Sequence, residues 1–254
     1  MNNFKLNIFF ILLIHANSIF ALEQEADPLN SPSWKLMHEV MLNSEPVIFD
    51  NRVVVNTPNF AEDALNVPVS INANEISNIQ EIVVFADLNP IQRVLDFKPI
   101  NSNASISFRI KVEQSTPVRA AVKTSDGVWY VGGKWLDAAG GGCTVSSNGM
   151  AAGTWPLTLM NVSSRVWENE TEDRLRFRVM HPMDTGLAPG VPEFYLQTVN
   201  IIDQNGKQVA NLQTYQPLSE NPVFTIDVKK DVELPLVVQG IDNNGNKLNA
   251  SINH

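Results

Sequence analysis

Three observations predict an all-β fold of two immunoglobulin-like β-sandwich domains joined by a Gly/Ala/Ser-rich linker. Short β-branched or aromatic runs recur through both halves of the chain. Helical periodicity is almost absent, and one stretch between the halves contains almost nothing to bury. A chain of 254 residues is long enough for two such domains, and 44% hydrophobic with 18% charged residues lies in the globular range.

The elements follow in order. Residues 1–21 place Lys5 before an apolar stretch from Leu6 to Ile14, with the small residue Ala21 at a cleavage position. The stretch falls short of the roughly 20 residues a membrane span needs, and His15 and Asn17 interrupt it. A cleaved secretory signal peptide is expected, with the mature chain in an extracytoplasmic compartment and without a membrane anchor. The segment from Pro32 to Leu42 is read as a short amphipathic helix with Trp34, Met37, Met41 and Leu42 near one face.

The first strand series comprises 53–55, 67–71, 81–88, 93–97, 105–112, 117–124 and 128–136, separated by Asn, Asp, Gly and Pro. In Ser105–Val112 the alternation places Ile106, Phe108, Ile110 and Val112 on a core face. Ser105, Ser107, Arg109 and Lys111 fall on a wet one. With no helices between the strands, a sandwich over 34–137 is expected rather than a parallel βαβ sheet. Residues 138–154 are mostly Gly, Ala, Ser and Asn and read as a flexible linker. A second series follows at 162–167, 173–181, 194–203, 207–215, 222–228 and 234–242, predicting a second sandwich over 155–254. Asp203–Gly206 and Asn243–Asn246 supply its turn residues.

The net charge of −9 disfavours nucleic acid and leaves protein partners open. One cysteine in an exported chain forms no internal disulfide, so Cys143 needs another explanation. It follows Gly140, Gly141 and Gly142 in the linker, a setting that predicts a solvent-accessible thiol on a flexible arm. The residues from Asp137 to Cys143 would project the sulfur by about 20 Å. The other reading is a plain interdomain hinge with an incidental cysteine. His181 opens a His-Pro-Met sequence and is expected to order the loop that begins at Pro182, because no second His or Cys accompanies it at copper-ligand spacing. No metal or cofactor is implied. Neither a serine-hydrolase elbow, a zinc-protease helix, a phosphate-binding loop nor a CxxC pair occurs.

The segments DRLRFRVMHPMDTGL, FYLQTVNIIDQNGKQV, ENPVFTIDV and VVQGIDNNG together resemble the SoxZ family. Upstream, Asn66-Val-Pro-Val-Ser-Ile, the strand series and the glycine-flanked Cys143 are similar to SoxY. The fused order resembles the SoxYZ-like carriers associated with quinoprotein (pyrroloquinoline quinone) dehydrogenases. That resemblance implies two immunoglobulin-like domains in the bacterial periplasm, no catalytic turnover of their own, and a sulfur intermediate held covalently on Cys143. The implied partners are redox or hydrolytic enzymes of the Sox or quinoprotein dehydrogenase type. The alternative is a non-covalent accessory or assembly protein for a quinoprotein dehydrogenase. SoxY ordinarily ends in a glycine-flanked cysteine with a free terminus, whereas here Thr144-Val-Ser-Ser continues into the second half.

Overall fold

The computed structural model describes residues 26–147 and 155–253. The expected signal peptide and the later part of the expected linker, 148–154, lie outside the described residues.

Helix α1 (Trp34–Leu42) is followed by strands β1 (Val47–Phe49), β2 (Val54–Asn56), β3 (Phe60–Ala61), β4 (Val67–Asn72) and β5 (Ile79–Ala86). Then come β6 (Arg93–Pro99), β7 (Ser102–Ile110), β8 (Thr116–Thr124) and β9 (Trp129–Ala138). The second half holds one helical turn, α2 (Trp155–Thr158), then β10 (Val162–Glu168), β11 (Glu172–Val179) and β12 (Leu196–Ile202). It closes with β13 (Gln208–Thr214), β14 (Val223–Lys229), β15 (Leu236–Asp242) and β16 (Lys247–Ile252). The all-β expectation holds, and both predicted turns form: Gly206 and Gly245 sit at φ 79° and 86°. Asp203 and Asp242 each accept two backbone N–H groups across their turns. Three strands escaped the sequence reading, β1, β3 and β16.

The strands form two facing sheets. One runs β1-β9-β8-β5-β6-β13-β12-β15-β16, with β3 pairing β9; the other runs β10-β11-β14-β7-β4-β2. Each sheet therefore draws strands from both halves of the sequence. The joins are antiparallel, β6 on β13 from Leu95↔Thr214 to Pro99↔Ala210, and β7 on β14 through Ser107↔Thr225 and Ile106↔Ile226. One buried cluster holds Phe97, Ile106 and Phe108 from the first half together with Leu212, Phe224 and Ile226 from the second. Two separately cored domains were expected. The halves instead share one core, because neither β6 nor β7 is left as a free sheet edge.

α1 lies outside the ten-stranded sheet. Trp34, Met37, Met41 and Leu42 pack on Val83, Phe85, Ala121, Trp129 and Val131, as their helical spacing predicted. This explains why β5 is apolar without alternation: Ile82 and Val84 face the main core while Val83 and Phe85 face the helix. Arg119, on the same outer side of β8, is buried among Asp27 at 2.7 Å, Asp87 at 3.0 Å and the Trp34 ring at 4.6 Å, a fully partnered charge.

Candidate functional site

β7 and β11 run in the same direction through their shared neighbour β14. Their C-terminal ends deliver Lys111–Glu113 and His181–Thr185 to one end of the sandwich, where the chain leaving β9 also arrives.

That chain is held by three glycines in two different ways. Gly140 and Gly141 take φ of 99° and 86°, which residues with a Cβ rarely adopt. Gly142 lies so close to its neighbours that a Cβ would stand 2.2 Å from the Ala64 carbonyl oxygen and 2.5 Å from that of Val112. Its N–H donates to Val112 O at 3.0 Å, while the Val112 N–H donates to Ala64 O at 2.9 Å. The expected flexible arm is therefore corrected to a docked segment over 139–147. Its glycines admit carbonyls and turns instead of supplying freedom.

Cys143 is wholly buried, contrary to the expected solvent-accessible thiol. Its backbone N–H donates to Glu113 Oε2 at 2.9 Å, and its Sγ lies 3.8 Å from the Lys111 carbonyl oxygen. The second half completes the clasp. Thr185 Oγ1 donates to the Cys143 carbonyl at 2.5 Å, and Asp184 accepts the Ser147 N–H at 2.7 Å and its hydroxyl at 3.0 Å. Burial pushes the Cys143 thiol up to about 12; the Glu113 carboxylate adds to the shift, and the Lys111 ammonium opposes it. In this position the sulfur is a protonated, poorly nucleophilic thiol.

Lys111 departs from the alternation expected of its strand. It was placed on the wet face, yet it is 4% exposed, because β7 ends at Ile110 and Lys111 passes beneath the docked segment. Its Nζ donates to the Met183 carbonyl oxygen. Burial lowers its pKa to about 8, opposed by the charges of Asp184 and Glu220. The backbone around it is fixed by buried Asn89, which donates to Lys111 O at 2.9 Å and accepts the Glu113 N–H at 3.0 Å.

His181 orders the following loop, as expected. Its Nδ1 accepts the Met183 N–H at 3.1 Å, so the proton sits on Nε2, facing Asp242 Oδ2 at 3.4 Å. Burial pulls its pKa down to about 4 against the opposing pull of Asp242, and the nearby Lys111 charge adds to the lowering. The His181 N–H and C=O also bond Asn221, at 3.2 and 2.8 Å. Met183 is held at φ 54° by this frame, which presents Asp184 and Thr185 to the cysteine segment. Sequence reasoning missed Lys111, Glu113, Asp184 and Thr185. The only available signal was that Asp184 and Thr185 follow directly on the His-Pro-Met sequence. Among the described residues no group of His, Cys, Asp and Glu is placed to hold a metal ion.

A family model described as sulfur oxidation protein SoxY matches residues 37–143, ending on the cysteine itself. A second, described as sulphur oxidation protein SoxZ, matches residues 166–253. Among solved structures, the sulfur carrier protein SoxY from Chlorobium limicola f thiosulfatophilum is similar over 42% of this chain and 96% of its own. The identity is 17% and the TM-score 0.37. A glycosyl hydrolase family 2 member from Bacteroides cellulosilyticus DSM 14838 is similar over 75% of this chain and 24% of its own, at 12% identity and a TM-score of 0.20. No curated protein matches the chain.

Proposed function

The chain belongs to the SoxY and SoxZ families of sulfur-oxidation proteins, fused in one polypeptide, and we propose that it holds a sulfur intermediate covalently on Cys143 and presents it to partner enzymes in the periplasm. SoxY and SoxZ are carrier and adaptor proteins that work with Sox enzymes, which fits a chain without catalytic turnover of its own. The signal-like residues 1–21 support the location. The fused order supports a quinoprotein dehydrogenase system as the partner.

One observation carries the reading: the SoxZ-like loop Met183–Thr185 closes on the very segment that bears the SoxY-like cysteine. The docked thiol is withdrawn, and the exposed thiol recovers an ordinary pKa near 8.5 and a usable thiolate fraction. The bond that Thr185 donates contributes about 1 kcal/mol net and those that the Asp184 and Glu113 carboxylates accept about 1.5–3 kcal/mol each, small enough for a partner's cleft to displace. Joining the released thiol to a sulfur anion such as thiosulfate forms an S–S bond and removes one proton and two electrons. The electrons pass to a redox partner. Cleaving the terminal sulfonate by water then releases sulfate and leaves a persulfide, which calls for a hydrolytic partner.

Intact-mass measurement of the chain purified from its native compartment without reductant tests the reading. An adduct mapping to Cys143, and lost in Cys143→Ser, is expected. A bare thiol under every growth condition would overturn it. That result would leave a non-covalent accessory protein for a quinoprotein dehydrogenase, the reading favoured by a thiol that is buried and tethered on both sides.

A further inference from the structure

The two sheets differ on their outer sides. In the first half, the outside of the ten-stranded sheet is covered by α1. On the outside of the six-stranded sheet stand Arg109, Arg165, Arg174, Arg176 and Arg178, five of the eight arginines of a chain whose net charge is −9. The strand registers align them. Arg165, Arg176, Thr225, Ser107, Ser70 and Asn56 form one row across β10, β11, β14, β7, β4 and β2. Arg178 and Arg109 belong to the next row, one pleat nearer the cysteine end.

Arg174 is neutralised by Asp227 at 2.8 Å, and Arg165 lies over the Trp167 ring at 5.0 Å. Among the described residues, Arg109, Arg176 and Arg178 are exposed and have no ion-pair partner within 4.0 Å. Glu220, the carboxylate that begins the chain into β14 at that end, acts on buried Lys111. Two grooves of about 430 and 290 Å³ share Arg176 as a wall, the first reaching Arg109 and the second Arg178. Arg109 and Arg178 are the last outward residues of β7 and β11 before Lys111 and His181, so the cationic surface runs up to the cysteine site.

We propose that this face is the docking surface for a protein partner that presents a carboxylate-rich rim beside the cleft receiving Cys143. Charge complementarity selects the partner: unpaired guanidinium groups concentrated on one face of an acidic molecule attract anionic protein surfaces, fix the approach and raise the rate of encounter. The same net charge repels a long polyanion that overruns the face. Asp27, the acidic residue at the described N-terminus, is engaged elsewhere, tied to Arg119 beneath α1, outside the opposite sheet.

The inference rests on the carrier reading only in taking the partner to be an enzyme that acts on Cys143. Docking is therefore measured on the full chain carrying Cys143→Ser, where no covalent step intervenes. The probe is a fluorescent oligo-glutamate peptide of about twelve residues, followed by anisotropy as salt is raised. Binding that weakens with salt is expected, and R109Q/R176Q/R178Q should weaken it about tenfold. K35Q/K247Q, which removes exposed cations elsewhere, should leave it unchanged. Absence of binding at low salt, or equal weakening in both variants, overturns the proposal. Tighter binding of a single-stranded oligonucleotide of equal charge also overturns it, in favour of nucleic acid. A sedimenting dimer that dissociates only in the arginine variant overturns it in favour of a second copy. A missing Cys143 adduct would touch none of these outcomes.

Discussion

His181 is the residue where recognition and mechanics meet. As part of the His-Pro-Met sequence it was conspicuous, and in the fold it is a neutral ring holding the loop that grips the cysteine segment. Its charge state links that grip to acidity. Burial sets its folded pKa at about 4, below the ordinary value of 6.5, so between these values the unfolded chain takes up a proton that the folded chain refuses. Stability from this group is complete above pH 6.5 and is lost as the pH falls toward 4. The urea midpoint should therefore drop between pH 7 and pH 5, and His181→Asn should flatten that slope. An unchanged slope would place the acid sensitivity on other groups. Lys111 shows the complementary lesson. Its position in an alternating run predicted a wet side chain, but alternation describes a strand only while the strand lasts, and β7 stops one residue earlier.

At the scale of elements, most strands were legible because β-branched and aromatic runs between turn residues are local signals. β16 was not, since its sequence Lys-Leu-Asn-Ala-Ser-Ile has few strand formers and is held by pairing with β15. The segment 139–147 was misread for a related reason. Glycine-rich composition signals freedom, whereas the constraint comes from carbonyls at Ala64, Val112 and Glu113 and from side chains some forty residues downstream. Gly142→Ala separates the two meanings. A methyl group 2.2 Å from Ala64 O forces the segment outward at a cost of about 1–3 kcal/mol. In the parent chain a thiol pKa of about 12 should slow alkylation by roughly three orders of magnitude relative to an exposed cysteine. Gly142→Ala should recover at least about tenfold of that rate with the melting temperature of the core little changed. If alkylation is fast in the parent chain and indifferent to the substitution, the segment is a free arm after all.

Across the whole molecule, two sequence families meet in one sandwich, a union visible in the sequence as two strand series and two family resemblances. What the sequence could not show is the pairing of β6 with β13 and β7 with β14, since cross-strand partners more than a hundred residues apart leave no local pattern. A protease site inserted within 148–154 and then cut should give two fragments that co-elute and melt in one transition, because both sheets and the core bridge the cut. Fragments that separate on a sizing column would refute this. The uncut connection has a kinetic meaning of its own. Two separate subunits part on dilution, each at the mercy of its own supply, whereas joined halves face each other at an effective concentration in the millimolar range. The cysteine-bearing half is thereby made in strict one-to-one ratio with the loop that shields it, and in a dilute compartment no thiol is left without its keeper.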